Sequence, residues 1–140
     1  MARIYLDTNI FIYWFEANPQ WAAQVRGLLG RMAARGDTLV TGWLTVGEIL
    51  AKPQALGDAA TVLRYERFFA SDEVELVAFD AGAAPIYASL RGGDKVRQAD
   101  ALQLACAGAA RCDIFVTNDK RLHKLAVSGI AFIAGLDRTP

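Results

Sequence analysis

Short apolar runs alternate with longer stretches of helical periodicity along the chain. Ile4–Asp7, Thr38–Thr41, Val74–Phe79, Ile114–Thr117 and Ile130–Ile133 are too short for helices and rich in β-branched and aromatic residues, so they read as strands. Between them, Asn9–Phe15 and Pro19–Arg35 read as helices, separated at Asn18-Pro19, with Gly36 as a stop for the second. Thr45 opens a helix to about Leu50, with Glu48 placed for a capping box and Pro53 as its limit. Helices over Asp58–Ala70, Ile86–Leu90, Ala99–Ala110 and Lys120–Ala126 complete the series. The alternation implies βαβ units: an α/β, three-layer αβα sandwich with a mainly parallel sheet of about five strands.

In open parallel sheets, ligands bind beyond the carboxyl ends of the strands. Three acids fall there: Asp7 closes the first strand, Glu48 follows the second, and Asp119 lies just past the fourth. Asp100 opens the helix that leads back toward the fourth strand. Each acid has a local alternative. Asp7 could cap a helix, Glu48 could complete a capping box, Asp100 could oppose a helix dipole, and Asp119 could serve a turn. Gathered together, they would repel: unit charges about 4 Å apart cost about 4 kcal/mol at an effective dielectric of about 20. Burial would add to that cost. A hard divalent cation with oxygen ligands relieves both, and Mg²⁺ is the common choice beside phosphates. The pattern points to a metal-dependent phosphate enzyme.

Composition narrows the setting. The 140 residues suit one domain, and 54% of them are hydrophobic. Fifteen basic and fifteen acidic residues give zero net charge, so no global field draws the protein toward nucleic acid. A local basic rim of Arg91, Lys95, Arg97, Lys120, Arg121 and Lys124 flanks two of the acids, as a contact surface or a solvated helix face. Asp94 has no assigned place. No apolar run reaches the roughly 18 residues of a spanning helix, and Asp7 comes too early for a secretory signal. The expected location is the cytoplasm, away from membranes. Cys106 and Cys112 lack metal-pair spacing and read as free, partly buried thiols; His123 reads as a surface residue.

Leu6-Asp7-Thr8-Asn9, Glu48 in a short helix, Asp100-Ala101-Leu102-Gln103-Leu104-Ala105 and Thr117-Asn118-Asp119 resemble, in order and spacing, the motifs of PIN-domain nucleases. The set most resembles VapC-type toxins of bacterial toxin–antitoxin pairs, over nearly all of residues 1–140. The resemblance implies a PIN-like fold, one or two Mg²⁺ or Mn²⁺ ions held by Asp7, Glu48, Asp100 and Asp119, and hydrolysis of RNA that leaves a 5′-phosphate. Asp7 and Asp100 are the expected direct ligands. Glu48 and Asp119 would complete the site or accept the proton of the attacking water. Thr8, Asn9, Thr117 and Asn118 are candidates to hydrogen-bond the acids. The resemblance also implies a cognate antitoxin and a homodimer. Tyr13, Trp14 and Phe15 are consecutive, so one helical face cannot bury all three, and at least one is expected to line a groove for the antitoxin. Two alternatives are a receiver-like phosphoacceptor domain using Asp80, and a PIN-like binding module without turnover.

Overall fold

The computed structural model describes residues 1–140. The strands are β1 (Arg3–Leu6), β2 (Thr38–Gly42), β3 (Glu75–Val77), β4 (Ile114–Val116) and β5 (Phe132–Ala134). They form one sheet in the order β3-β2-β1-β4-β5, with every neighbouring pair parallel. Helices α1 (Thr8–Phe15), α2 (Ala22–Arg35), α3 (Trp43–Ala55), α4 (Ala59–Phe69), α5 (Ala83–Gly92) and α6 (Gln98–Ala109) make the crossovers. The expected αβα sandwich is therefore found. A receiver-type domain would have the order 2-1-3-4-5, and this sheet does not.

Side-chain alternation on the central strands builds two cores. Ile4 and Leu6 of β1, with Ile114 and Val116 of β4, pack against α1 to α4. Tyr5 and Phe115, stacked with ring centroids 5.1 Å apart, point the other way, into a core with α6 and Leu90 of α5. Both faces of the sheet are covered, which is why its strands read as continuous apolar runs rather than as alternating ones.

The chain winds outward from β1 through β2 to β3, then crosses to the other side of β1 for β4 and β5. The direction reverses between β1 and β4, whose register pairs Leu6 with Val116. The backbone N–H of Asp7 extends that ladder by bonding the Val116 carbonyl at 3.1 Å. The carboxyl end of β1 thus opens on the crevice of the sheet.

Several local expectations are corrected. Helix α3 starts at Trp43 rather than Thr45, and Gly42 precedes it without a side-chain cap. Thr45 is fully buried inside the helix, so no capping box forms. Pro53 lies within the last turns of α3 and does not stop it. Helix α2 begins at Ala22, because the Asn18 side chain accepts the N–H groups of Gln20 and Trp21 and holds that stretch as a turn. Lys120–Leu122 is one 3₁₀ turn, not a helix to Ala126. His123 is half-buried, with Nε2 2.7 Å from the Thr117 carbonyl oxygen. Cys106 and Cys112 are free and buried, as expected. Burial pushes both thiols up, to about 11 and about 12.

Helix α6 is held to the following loop by a backbone contact that leaves no room for a side chain. A Cβ on Gly108 would lie 2.3 Å from the Ser128 carbonyl oxygen. Gly129 beside it has φ +87°, which also favours glycine. Gly30 in α2 has nothing within 4 Å of an added Cβ. Urea unfolding checks the contrast. Gly108→Ala should lose about 1–3 kcal/mol through overpacking, while Gly30→Ala should gain about 0.5–1 kcal/mol from helix propensity.

Candidate metal centre

All four acids are tied into one string of contacts at the carboxyl end of β1 and β4. Asp7 stands at the N-terminus of α1, where Oδ1 accepts the Thr8 backbone N–H at 2.7 Å. The Thr8 hydroxyl donates to Glu48 Oε1 at 2.7 Å. On its other side, Asp7 Oδ2 accepts the Thr117 hydroxyl at 2.8 Å. That hydroxyl in turn accepts the backbone N–H of Asp119 at 3.1 Å. Arg97 then reaches both Asp119, at 3.8 Å, and Asp100, at 3.4 Å. Glu48, Asp7, Asp119 and Asp100 thus follow one another without a break, through Thr8, Thr117 and Arg97.

The local explanations hold alongside this convergence. Asp7 and Asp119 do cap the turns that follow them, and Asp100 does lie in the first turn of α6. The Glu48 capping box is the one that fails. Asp80 accepts the N–H groups of Gly82 and Ala83 and belongs to the loop after the edge strand β3, apart from the four acids. Of the candidate supporting residues, Thr8 and Thr117 bond the acids. Asn9 is exposed with no bond to any of them, and Asn118 Oδ1 accepts the Leu136 N–H instead.

The electrostatics differ along the string. Neither Asp7 nor Glu48 has a basic partner. Burial pushes the Asp7 carboxyl above its ordinary range, and the charges of Asp100 and Glu48 push it further. The bonds from Thr117 and Thr8 oppose that shift but do not cancel it. Asp119 is the opposite case: Arg121, which grips both its oxygens, holds it below the usual carboxylate range, with help from Arg97. Two members of the basic rim, Arg97 and Arg121, therefore sit on site acids while staying about two-thirds exposed. Asp94, Lys95 and Lys124 line the same shallow depression beside Asp100.

The donor set suits a hard cation: four carboxylates, no thiol and no imidazole. No three acids are drawn closely enough to clasp an ion directly between them. That spacing is compatible with Mg²⁺, which is usually bound through one or two carboxylates and keeps several of its waters. Asp7 could hold such an ion, since a cation would offset the cost of ionising its buried carboxyl.

Reading the sequence missed Gln103, Thr45 and Tyr5, which complete the polar surroundings of Glu48. Gln103 Nε2 donates to the site from α6, three positions and so about one turn beyond Asp100. The signal present in the sequence is a glutamine in an otherwise apolar run, Ala101 to Ala107.

The fold is similar to several solved structures. These include VapBC2 from Rickettsia felis bound to a promoter DNA fragment, at TM-score 0.76 and 17% identity over 95% of this chain and 98% of that one. DNA-bound VapBC from Salmonella typhimurium matches at TM-score 0.68 and 22% identity, over 97% and 99%. A toxin–antitoxin complex from Klebsiella pneumoniae matches at 0.63 and 19%, over 91% and 94%. No curated protein sequence matches the chain. The PIN domain profile matches residues 4–128, from the first core residue of β1 to the loop that packs on α6. The chain belongs to the PIN domain family.

Proposed function

We propose that this protein is a divalent-cation-dependent endoribonuclease, the toxin of a VapBC-type toxin–antitoxin pair, with residues 1–140 acting as one nuclease domain. The observation that carries the reading is the unbroken string from Glu48 through Asp7 and Asp119 to Asp100, at the point where the sheet reverses direction. PIN domains are typically nucleases, and the fold's likeness to VapBC and toxin–antitoxin complexes supports the toxin assignment.

Asp7 and Asp100 would hold Mg²⁺ or Mn²⁺ directly, with Glu48 and Asp119 completing the site, in part through water. Such an ion lowers the pKa of bound water and stabilises charge on the attacked phosphate. Glu48 suits the role of base toward the attacking water. It is exposed, and its protein hydrogen bonds fall on Oε1, which leaves Oε2 free. Asp119 suits that role less, because Arg121 and Arg97 stabilise its charged form. Arg97 and Arg121 would orient the RNA backbone, and hydrolysis would leave a 5′-phosphate. No helix is long and apolar enough to cross a membrane. Action in the cytoplasm and a homodimeric state belong to the same proposal.

The antitoxin would dock on the aromatic side of α1. Tyr13, Trp14 and Phe15 are all half-buried, in accord with the expectation that one helix face cannot cover them. Trp14 packs edge-on against Phe68 and lines a cleft with Leu29, Met32, Leu39, Asp72 and Glu73. An apolar segment carrying basic residues would match it.

Asp7→Asn should abolish Mg²⁺-dependent cleavage of RNA while keeping the helix cap, since asparagine caps as well as aspartate; cleavage at the wild-type rate would refute the assignment. The same variant has a second expected effect. Because the Asp7 pKa is raised on folding, the stability that Asp7 contributes to the metal-free wild type is lost as pH rises from about 4, the unfolded value. The metal-free Asn variant should therefore melt higher than wild type at pH 7, with the gap closing near pH 3. In binding assays with the cognate antitoxin, Trp14→Ala should weaken affinity by about 30-fold or more, the loss expected of a buried aromatic anchor. Equal affinity would rule out this cleft.

A further inference from the structure

A second polar file enters the site from beneath the sheet. Tyr5 points into the core on the α6 face, completely buried. Its hydroxyl donates to Gln103 Oε1. Gln103 is 3% exposed, and its Nε2 lies 2.9 Å from Thr45 Oγ1, 3.1 Å from Thr8 Oγ1 and 3.2 Å from Glu48 Oε1. Thr8, itself buried, donates its hydroxyl hydrogen bond to the same Glu48 oxygen.

Donor and acceptor inventory gives this file one direction. A carboxylate accepts only, and a carboxamide offers an oxygen at one side and an N–H₂ at the other. With Tyr5 donating at one end and Glu48 accepting at the other, a single amide orientation satisfies both. The flipped amide would set its oxygen against the carboxylate. Tyr5 keeps its proton, because burial pushes its pKa well above the ordinary phenol value.

The arrangement is costly as packing. Burying a carboxamide costs free energy unless its bonds are made, and the neighbours Ala101, Leu104 and Ala105 show that this helix face is otherwise apolar. Gly42 yields space to the phenol: a Cβ there would come 2.6 Å from the Tyr5 oxygen. Glu48, by contrast, is an exposed side chain on a helix, free to sample rotamers unless something holds it.

Resting on the nuclease reading above, we infer that Gln103 is the positioning residue of this site. It pins one oxygen of Glu48, directly and through Thr8, and Tyr5 locks the amide that does so. Gln103 contacts no reacting atom in this role.

The test compares Gln103→Met, which keeps shape and removes the donor, with Tyr5→Phe, which removes only the hydroxyl. Thermal melts, Mn²⁺ affinity by calorimetry, and kcat and KM on RNA are measured for each. Gln103→Met leaves the buried Tyr5 hydroxyl without its acceptor and should melt below wild type while still unfolding cooperatively. The folded variant should lose about 10–100-fold in Mn²⁺ affinity or kcat, as supporting residues of metal sites do, with KM for RNA unchanged. Tyr5→Phe should show a smaller loss of the same kind. Side-chain NMR provides a readout independent of turnover. The Gln103 carboxamide protons should exchange slowly in wild type and faster in Tyr5→Phe, and the Glu48 carboxylate carbon should shift in Gln103→Met. Unchanged kcat and Mn²⁺ affinity in folded Gln103→Met, or a Glu48 signal blind to that substitution, would overturn the inference. A wild type that neither binds Mn²⁺ nor cuts RNA, but retains the NMR couplings, would instead overturn the nuclease reading.

Discussion

The site depends on like charges held together by neutral groups. Glu48 and Asp7 are not joined by a cation but by Thr8, which gives its backbone N–H to one and its hydroxyl to the other. Asp7 is joined to Asp119 through Thr117, whose hydroxyl donates to the Asp7 carboxylate and accepts the Asp119 backbone N–H. Hydroxyls and amides hold carboxylates at defined positions without neutralising them, so negative potential accumulates where Asp7 sits. Burial is the main force that pushes its carboxyl above the ordinary range, and the charges of Asp100 and Glu48 add to it. At the far end, Arg97 and Arg121 neutralise Asp119 and Asp100 in part while remaining largely exposed. The result is a polarised edge, anionic at Asp7 and cationic at the rim, which suits an ion inside and a phosphate outside.

The fold delivers this edge by topology rather than by long loops. Reversal of the winding order between the parallel strands β1 and β4 leaves a crevice at their carboxyl ends, and the residues that follow each strand fall into it. Helix α6 supplies Asp100 and Gln103 one turn apart, so a single helix face contributes a candidate ligand and the support for another. The close approach at Gly108 and Gly129 sets how that helix lies against the loop that follows β4. Packing far from the site thereby bears on its geometry.

Much of this was readable from the sequence, for identifiable reasons. Strands covered on both faces appear as uninterrupted apolar runs, and all five were located to within about two residues at most ends. Asp7, Asp100 and Asp119 stand out because each marks the start of a helix or turn beside an apolar stretch, whereas Glu48 lies well inside α3 and not at the element boundary its sequence suggests. Boundaries failed where a side chain bonds backbone out of register with periodicity, as Asn18 does before α2. They failed also where burial overrides local chemistry, as with Thr45, which the capping pattern placed outside the helix and the structure buries within it. Gln103 and Tyr5 carry no comparable signal, because the contact that joins them spans 98 residues along the chain. No local pattern encodes such a pair; a polar residue in an apolar helix stripe is the only trace it leaves.

Anomalous diffraction from crystals soaked in Mn²⁺ tests the central claim most directly. The account predicts a manganese peak at the carboxyl end of β1, with an Asp7 carboxylate oxygen about 2 Å from the ion and other acids of the string around it. A well-ordered structure with no manganese at Asp7, or with the ion bound only at unrelated surface acids, would contradict it.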